Sequence, residues 1–181
     1  MGTSRIHLRL AREEDRRALW RIHTRAVVLR CRDAYSPQEV STWVGQLKPE
    51  GYLLPSGHRT VLVAERGEQP VGFGQLDVVS GELEALYVTP EETGRGVGTL
   101  LLGSLERTAW LAGVSELRLD ASLNAEGFYQ HRGYTALCAA RRVLTAEVRL
   151  ACVRMHKPRP RASLAQEARA TVPRAPETSL R

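Results

Sequence analysis

The stretch that decides the fold runs from Gly81 to Gly113 and reads GELEALYVTPEETGRGVGTLLLGSLERTAWLAG. Its first part, Glu82–Val88, has the pattern of a β-strand, and Thr89-Pro90 ends that run. Apolar residues later recur three and four positions apart, as in a helix packed on one side. Between strand and helix lie three glycines at every second position, Gly94, Gly96 and Gly98. This order brings several backbone N–H groups to one helix N-terminus, which predicts a site for an anionic phosphate group.

Two common nucleotide-binding loops do not match this turn. A Walker A loop closes with Lys followed by Ser or Thr, whereas Gly98 is followed by Thr99 and Leu100. A dinucleotide-binding fingerprint needs a third glycine three residues after the second. From either possible start, that position holds Thr99 or Leu101. The pattern therefore excludes both loops.

The residues around the turn resemble the phosphate-binding motif of the GNAT superfamily of acyl-CoA-dependent N-acyltransferases. The motif reads Gln/Arg-x-x-Gly-x-Gly/Ala after a strand that ends in a Tyr-Val-like pair and a proline. Tyr87-Val88 and Gly96-Val97-Gly98 match it, while Thr93 stands in place of the first Gln or Arg. Because backbone amides carry most of the pyrophosphate contact in the family, this departure weakens one side-chain contact. The cradle of backbone amides that binds the pyrophosphate is retained.

A second motif supports the resemblance. Asn124, Phe128-Tyr129 and Gly133-Tyr134 resemble the late GNAT motif, an asparagine, an aromatic pair and a glycine-aromatic pair around a short helix. The element order β-α-α-β-β-β-α-β-α-β-β over residues 5–157 is also similar to the family. The resemblance implies an α+β GNAT fold with a mixed, mostly antiparallel central sheet, helices on both faces and a V-shaped splay between strands 4 and 5.

Periodicity and turn residues predict the other elements. A first helix is expected from Glu13, with the poor capping residue Ala11 near its start. Ser36-Pro37-Gln38-Glu39 predicts the capped start of a second helix. The remaining predictions are a hairpin of strands 60–64 and 71–79, a strand 116–121, a short helix 122–134, and strands 135–143 and 147–156.

The resemblance implies that acetyl-CoA is the co-substrate and lies in the gap between strands 82–89 and 116–121. Its pantetheine arm would bond to the backbone of the first strand, and its pyrophosphate would rest on the amides of 94–99. The expected cofactor contacts are Leu86, Tyr87, Val88, Gly94, Arg95, Gly96, Val97, Gly98, Thr99 and Asn124. Solvation remains the alternative for Arg95, and capping of the short helix for Asn124.

The resemblance also assigns the acid–base groups. Tyr129 is the expected general acid that protonates the leaving CoA sulfur; the alternative is that it only packs the short helix. Glu82 and Glu84 are the candidate bases, because strand alternation predicts that both lie on one face, opposite Leu83, Ala85 and Tyr87. A water relay or another residue such as His23 remains open as the base.

Other side chains have less specific expectations. His23, Arg30, Tyr35 and Trp43 lie on the two early helices, which form the acceptor side in this family. Trp43 is expected in the core, and Tyr35 is as readily a pocket residue as a packing residue. Solvation is the expectation for four charged residues, Glu91, Glu92, His131 and Arg132.

Composition limits the functional classes. Of the net charge of +6, half lies in residues 158–181, which hold five arginines and two glutamates, so nucleic-acid binding is not expected. The chain has no apolar run near the ~20 residues of a membrane span, and its charged N-terminus lacks a signal segment, so a cytoplasmic protein without membrane contact is expected. Residues 1–157 are predicted to form one domain, and the proline-, arginine- and alanine-rich residues 158–181 a disordered tail.

Three cysteines, Cys31, Cys138 and Cys152, lack metal-like spacing, so no metal site is expected. Cys138 and Cys152 lie in apolar strand-like runs and are predicted to be buried thiols.

These observations predict an N-acetyltransferase that moves an acetyl group from acetyl-CoA to a primary amine by direct attack. The acceptor is unidentified, with a small molecule favoured over a protein, and a homodimer is possible. Two other readings remain: a GNAT-fold sensor or partner module that binds CoA without turnover, and a basic protein whose tail binds nucleic acid or acidic partners.

Overall fold

The computed structural model describes residues 5–53 and 57–161. The strands are β1 (Ile6–Leu10), β2 (Arg59–Arg66), β3 (Gln69–Asp77), β4 (Glu82–Val88), β5 (Glu116–Ser122), β6 (Thr135–Val143) and β7 (Arg149–Pro158). The helices are α1 (Arg16–Arg30), α2 (Pro37–Gln46), α3 (Val97–Leu111) and α4 (Glu126–Gln130), with short 3-10 turns at Glu13–Asp15, Pro49–Gly51 and Pro90–Glu92.

The seven strands form one sheet in the order β1-β2-β3-β4-β5-β7-β6. Every neighbouring pair is antiparallel except β4 and β5, which run parallel. These two strands pair at a single position, Glu82 opposite Arg118, so they diverge beyond it. The predicted α+β fold with a splay between strands 4 and 5 is confirmed.

Helices cover both faces of the sheet. On one face, Leu19 and Ile22 of α1 pack with Phe73 of β3, and α2 packs beside α1 through Trp43 and Val27. On the other face, the apolar stripe of α3 is fully buried against the strands, with Val97, Leu101, Leu102, Leu105 and Ala109 in its core clusters. The glycine turn between β4 and α3 therefore lies at the open end of the splay.

The two early helices begin differently. Ser36 caps α2 through the predicted capping box with Glu39. The first helix was expected from Glu13, but a 3-10 turn precedes α1, which begins at Arg16. The carboxylate of Asp15 accepts a hydrogen bond from the Arg12 N–H at 2.7 Å and two from the Arg9 guanidinium of β1. This anchor to β1 stands in place of the weak cap predicted at Ala11.

Several boundaries near the C-terminus also differ from the sequence predictions. Ser122 belongs to β5, so α4 is shorter than the predicted helix 122–134. Gly133 has the positive φ of 84° expected of a glycine that ends a helical segment. Strand β7 extends to Pro158, one residue into the predicted tail. The rest of the tail prediction, from residue 162, lies outside the described residues.

The burial of Cys138 was predicted wrongly. Cys138 lies on β6, the edge strand, where almost every side chain is exposed, whereas Cys152 on the next strand is buried as expected. Within the described chain, helices long and apolar enough to cross a membrane are absent.

Candidate active site

The splay opens into two adjoining cavities. The first, the cradle cavity, has a volume of about 390 Å³ and lies over the glycine turn. The second, the strand cavity, has a volume of about 310 Å³ and lies between β4, β5 and the early helices. Both are lined by the same five residues where they meet, Leu86, Tyr87, Ser122, Ala125 and Tyr129. A ligand in one cavity can therefore reach a ligand in the other.

The cradle is built from backbone. Gly96 caps α3 with φ of 83°, a conformation that L side chains rarely adopt. Leu100 N–H donates to Gly96 C=O, so the N–H groups of the first turn before Leu100 have no acceptor within the helix. A Cβ on Gly98 would lie 3.6 Å from the Phe128 ring, so a longer side chain there would fill the cavity.

Eight of the ten expected cofactor-contact residues line the cradle cavity: Leu86, Tyr87, Val88, Gly94, Gly96, Gly98, Thr99 and Asn124. The other two do not. The side chain of Val97 is 1% exposed and packs in the core, which leaves its backbone N–H as its possible contribution. The side chain of Arg95 is 60% exposed and lies 4.0 Å from Glu92.

Asn124 contacts a thiol. The cap position of α4 is Ala125, so capping does not explain Asn124. Burial raises the pKa of the Cys31 thiol to about 11, and a hydrogen bond from Asn124 opposes that rise. Both residues line the cradle cavity, and at neutral pH the Cys31 thiol is protonated.

Two arginines line the cradle cavity, Arg30 and Arg132. Solvation was expected for Arg132, but its side chain is half-buried, lies over the Phe128 ring and donates to Thr99 Oγ1. Its Nε is buried without a hydrogen-bond partner. The spacing of four residues from Phe128 is a helical signal that could have identified this contact. A phosphate group would satisfy such an unpaired guanidinium N–H.

Glu92 also differs from its expectation. It is 7% exposed, and Arg66 Nη2 donates to its Oε2 at 2.7 Å. The Arg66 guanidinium lowers the pKa of Glu92, which stays ionised. Because its charge is matched by Arg66, Glu92 adds little repulsion to an anion in the cradle. Glu91 is exposed, as expected, and forms an ion pair with Arg25.

Tyr129 lies where the two cavities meet. It is 7% exposed, and its ring makes edge contacts with Phe128 and Tyr134 at centroid distances of 5.2 and 5.5 Å. Burial raises the pKa of its phenol, so the hydroxyl keeps its proton at neutral pH. Among the hydrogen bonds of residues 5–53 and 57–161, none involves this hydroxyl. The ring packs in the core cluster and the residue lines both cavities, and its role as the acid stays a prediction.

The two candidate bases both line the strand cavity. The pairing of β3 with β4 shifts register between Gln75 and Leu76, which leaves Glu84 as an extra residue in a bulge. Leu83 consequently packs on the α3 side, whereas Ala85 packs on the α1 side. The predicted alternation, with Leu83 and Ala85 on one face, is therefore wrong.

The partners of the two carboxylates differ. Both oxygens of Glu84 are held by Arg59, at 2.8 and 2.9 Å. Glu82 receives a hydrogen bond from Arg154 on Oε1 alone. Among the described residues, its Oε2 has no partner. Glu82 thus has the more available oxygen.

His23 is less suited than the two carboxylates to act as the base. His23 is 6% exposed, does not line the strand cavity, and has its Nδ1 2.8 Å from the Tyr52 hydroxyl. Burial, followed by the positive charge of Arg142, lowers its pKa to about 3, so it is neutral. Its ring stacks on Tyr87 at 3.7 Å, which supports the wall of the cavities.

Tyr35 and Trp43 both line the strand cavity. Trp43 is buried, as predicted, and packs edge-on against Tyr35. The Tyr35 hydroxyl donates to the Ala151 carbonyl at 2.7 Å and accepts from the Leu123 N–H at 3.0 Å. Tyr35 thereby ties the segment before α2 to β7 and to the residue after β5.

Comparisons with known proteins agree with this architecture. The sequence model of a family described as "Acetyltransferase (GNAT) domain" matches residues 31–155. The chain is 33% identical over 129 residues to the uncharacterized N-acetyltransferase YafP of Escherichia coli (strain K12), an alignment that spans 71% of this chain and 81% of that protein. A crystal structure of a GCN5-related N-acetyltransferase from Rhodopseudomonas palustris is similar with a TM-score of 0.79 at 30% identity, over 88% of this chain and 99% of the other.

A crystal structure of the PaiA N-acetyltransferase from Thermoplasma acidophilum in complex with coenzyme A is also similar. Its TM-score is 0.70 at 23% identity, over 86% of this chain and 99% of that chain. At this identity the likeness concerns the fold.

Proposed function

The chain belongs to the GNAT family of N-acetyltransferases and is an acyltransferase, and we propose the reaction that it catalyses. It transfers an acetyl group from acetyl-CoA to a primary amine of a small acceptor, and the amine attacks the thioester directly. The donor occupies the cradle cavity and the acceptor the strand cavity. The amine nitrogen meets the thioester carbonyl where the two cavities join, beside Tyr129.

The cradle cavity has the chemistry to hold the donor. The first-turn amides of α3 are hydrogen-bond donors at the positive end of a helix dipole, which suits a pyrophosphate. Arg30 and Arg132 add positive charge on the same wall. The edge of β4 beyond Glu82 lacks a strand partner on the β5 side, so its backbone can bond to the pantetheine amides.

The reaction needs a base for the amine and an acid for the thiolate. Glu82 accepts the proton that the amine loses, because one of its oxygens is not engaged. The new N–C bond forms as the C–S bond breaks, and the phenol of Tyr129 supplies a proton to the departing sulfur. Glu84 is held by Arg59 through both oxygens, which favours a positioning role.

One observation carries this proposal: Tyr129 lies in the wall shared by both cavities. Its hydroxyl is protonated and has no hydrogen-bond partner among the described residues. A proton donor at this point lies beside the place where the thioester and the amine would meet, which suits protonation of the leaving sulfur.

A panel of amines with acetyl-CoA tests the proposal, with thiol release as the readout and mass spectrometry of the product as confirmation. We expect release that depends on the amine and exceeds the rate of thioester hydrolysis without amine. Absence of amine-dependent release across small amines, peptides and protein lysines, in protein that binds CoA, would contradict the catalytic proposal.

A further inference from the structure

The charged side chains around the strand cavity are unevenly paired. Four charged residues line it: Glu82, Glu84, Asp120 and Arg142. Each carboxylate has an arginine partner, since Arg59 holds Glu84 and Arg154 holds both Glu82 and Asp120. The side chain of Arg142, by contrast, is exposed, and its guanidinium has no hydrogen-bond or ion-pair partner in the part of the chain that the structure describes. Three arginines thus face three carboxylates, and among the described residues the Arg142 guanidinium is the one of these charged groups without a direct partner.

The position of Arg142 within the cavity follows from its neighbours. Arg142 lies on β6 opposite Leu150 of β7. It lines the strand cavity with Leu150 and Cys152, which do not line the cradle cavity. Its charge nevertheless reaches the cavity wall, where it opposes the rise that burial causes in the pKa of Tyr87. Arg142 thus belongs to the wall of the strand cavity and not to the lining of the cradle cavity.

A second donor in this wall also lacks an acceptor. Trp43 Nε1 is buried without a hydrogen-bond partner, and its side chain lines the same cavity. Buried donors are almost always paired in folded proteins. A carboxylate supplies acceptor oxygens only, and the planar guanidinium of arginine binds it through two parallel hydrogen bonds. The Arg142 guanidinium and the Trp43 Nε1–H are thus two donors of one cavity without a protein acceptor, and a carboxylate suits both.

We infer that the acceptor is a small amine that also carries a carboxylate, which Arg142 binds while the amine lies beside Glu82 and Tyr129. This inference rests on the proposed acetyl transfer. A volume of about 310 Å³ is at the low end of ligand pockets, so both groups belong to one small molecule. Arg142 acts as a specificity residue, since an anionic end is favoured over a neutral one.

Matched acceptors test the inference. The full chain is assayed with acetyl-CoA and α- and ω-amino acids of increasing chain length, each beside its own carboxamide, so that only the charge differs. We expect kcat/KM for the carboxylates to exceed that of the amides by at least about tenfold, mainly through KM. Arg142→Gln should remove this preference by raising KM for the carboxylates, and Arg142→Lys should keep part of it.

Arg141→Gln is the matched control, because Arg141 is the neighbouring exposed residue of the same strand and does not line either cavity. It should keep the preference for carboxylates. Equal kcat/KM for both members of every pair in the wild type, or an equal loss for both in Arg142→Gln, would overturn the inference.

A binding measurement separates this inference from the proposed reaction. N-acetylated amino acids and their amides are titrated into CoA-saturated protein by calorimetry. Tighter binding of the carboxylates, lost in Arg142→Gln, supports the anion site even if no acceptor is acetylated, in which case only the proposed reaction fails. Equal binding of carboxylate and amide to the wild type overturns the anion site.

Discussion

Glu82 of β4 and Arg154 of β7 form an ion pair across β5, the strand that lies between them in the sheet. Arg154 Nη1 also contacts Asp120 of β5 at 3.2 Å, so one guanidinium joins three strands where the splay begins. The pair fixes the position of Glu82 and leaves its Oε2 available. Its neighbour Glu84 has both oxygens bound by Arg59.

This difference predicts which carboxylate is the base. Glu82→Gln should lower kcat/KM by about 10²-fold or more, the usual contribution of a general base. The loss of activity toward acidic pH, caused by protonation of the base, should vanish in this variant. Glu84→Gln should retain that acidic limb. Rates measured against pH with two acceptors of different amine pKa would separate the acidic limb due to the enzyme from the limb due to the acceptor. An unchanged acidic limb in Glu82→Gln would exclude Glu82 as the base.

The position of Tyr129 predicts a defect in chemistry. Tyr129→Phe keeps the ring contacts with Phe128 and Tyr134, so folding and CoA affinity should persist while kcat falls by at least about tenfold. Tyr134→Phe is the matched control, because Tyr134 is buried in the same cluster but lines neither cavity. Steady-state kinetics with calorimetric CoA titrations check this. If Tyr129→Phe has the wild-type kcat with every acceptor, Tyr129 is not the acid and only packs.

The cradle predicts a loss of donor binding without unfolding. Gly98 lies in α3 without a positive φ, so Gly98→Glu strains no backbone and places a negative charge in the cavity. We expect CoA binding to fall below detection in calorimetry while the melting temperature stays close to that of the wild type. Gly103→Glu adds the same charge to the same helix at an open position and should bind CoA normally. Equal CoA affinities of the two variants would show that the phosphates bind elsewhere.

Asp15 predicts the pH dependence of stability. Arg9, through its hydrogen bonds, holds the pKa of Asp15 below its ordinary value, so the stabilisation is fully present above that value of about 3.9 and is lost as pH falls through the folded pKa. Asp15→Asn should cost about 3 kcal/mol at neutral pH, or roughly 6–12 °C in Tm. The difference from the wild type should shrink below about pH 4.

Glu14→Gln is the control for Asp15, since Glu14 is exposed and lies 3.9 Å from Arg12. An exposed pair of this kind contributes at most about 1 kcal/mol. Thermal melts of both variants at several pH values provide the measurement. A constant difference between Asp15→Asn and the wild type down to acidic pH would contradict the role of the Asp15 charge.

Local patterns predicted most of the fold because its signals are close in sequence. The glycine turn, the capping box at Ser36 and the short aromatic helix each depend on neighbouring residues, and together they located the cradle. The anchor of Asp15 depends on Arg9 in a strand, and the partner of Glu92 is Arg66, 26 residues away in sequence. Pairings between side chains of different elements leave no periodic signal in the sequence.

The finer features of the site were missed for a similar reason. A bulge at Glu84 is a property of two paired strands, so alternation within β4 could not reveal it. The exposure of Cys138 depends on which strand lies at the edge of the sheet. The homodimer, the expected donor contacts, Arg95 among them, and the roles of Tyr129, Glu82 and Glu84 stay predictions.

The single backbone pairing between β4 and β5 has a consequence for the lifetime of the protein. It divides the sheet into a four-stranded and a three-stranded half, with unpaired strand edges facing the gap. A donor bound there joins the halves and stabilises only the folded chain, by about 2.7 kcal/mol at a concentration one hundred times its Kd. Resistance to proteolysis would then rise and fall with the cellular supply of the donor, so that starvation for acyl donors would also deplete the enzyme.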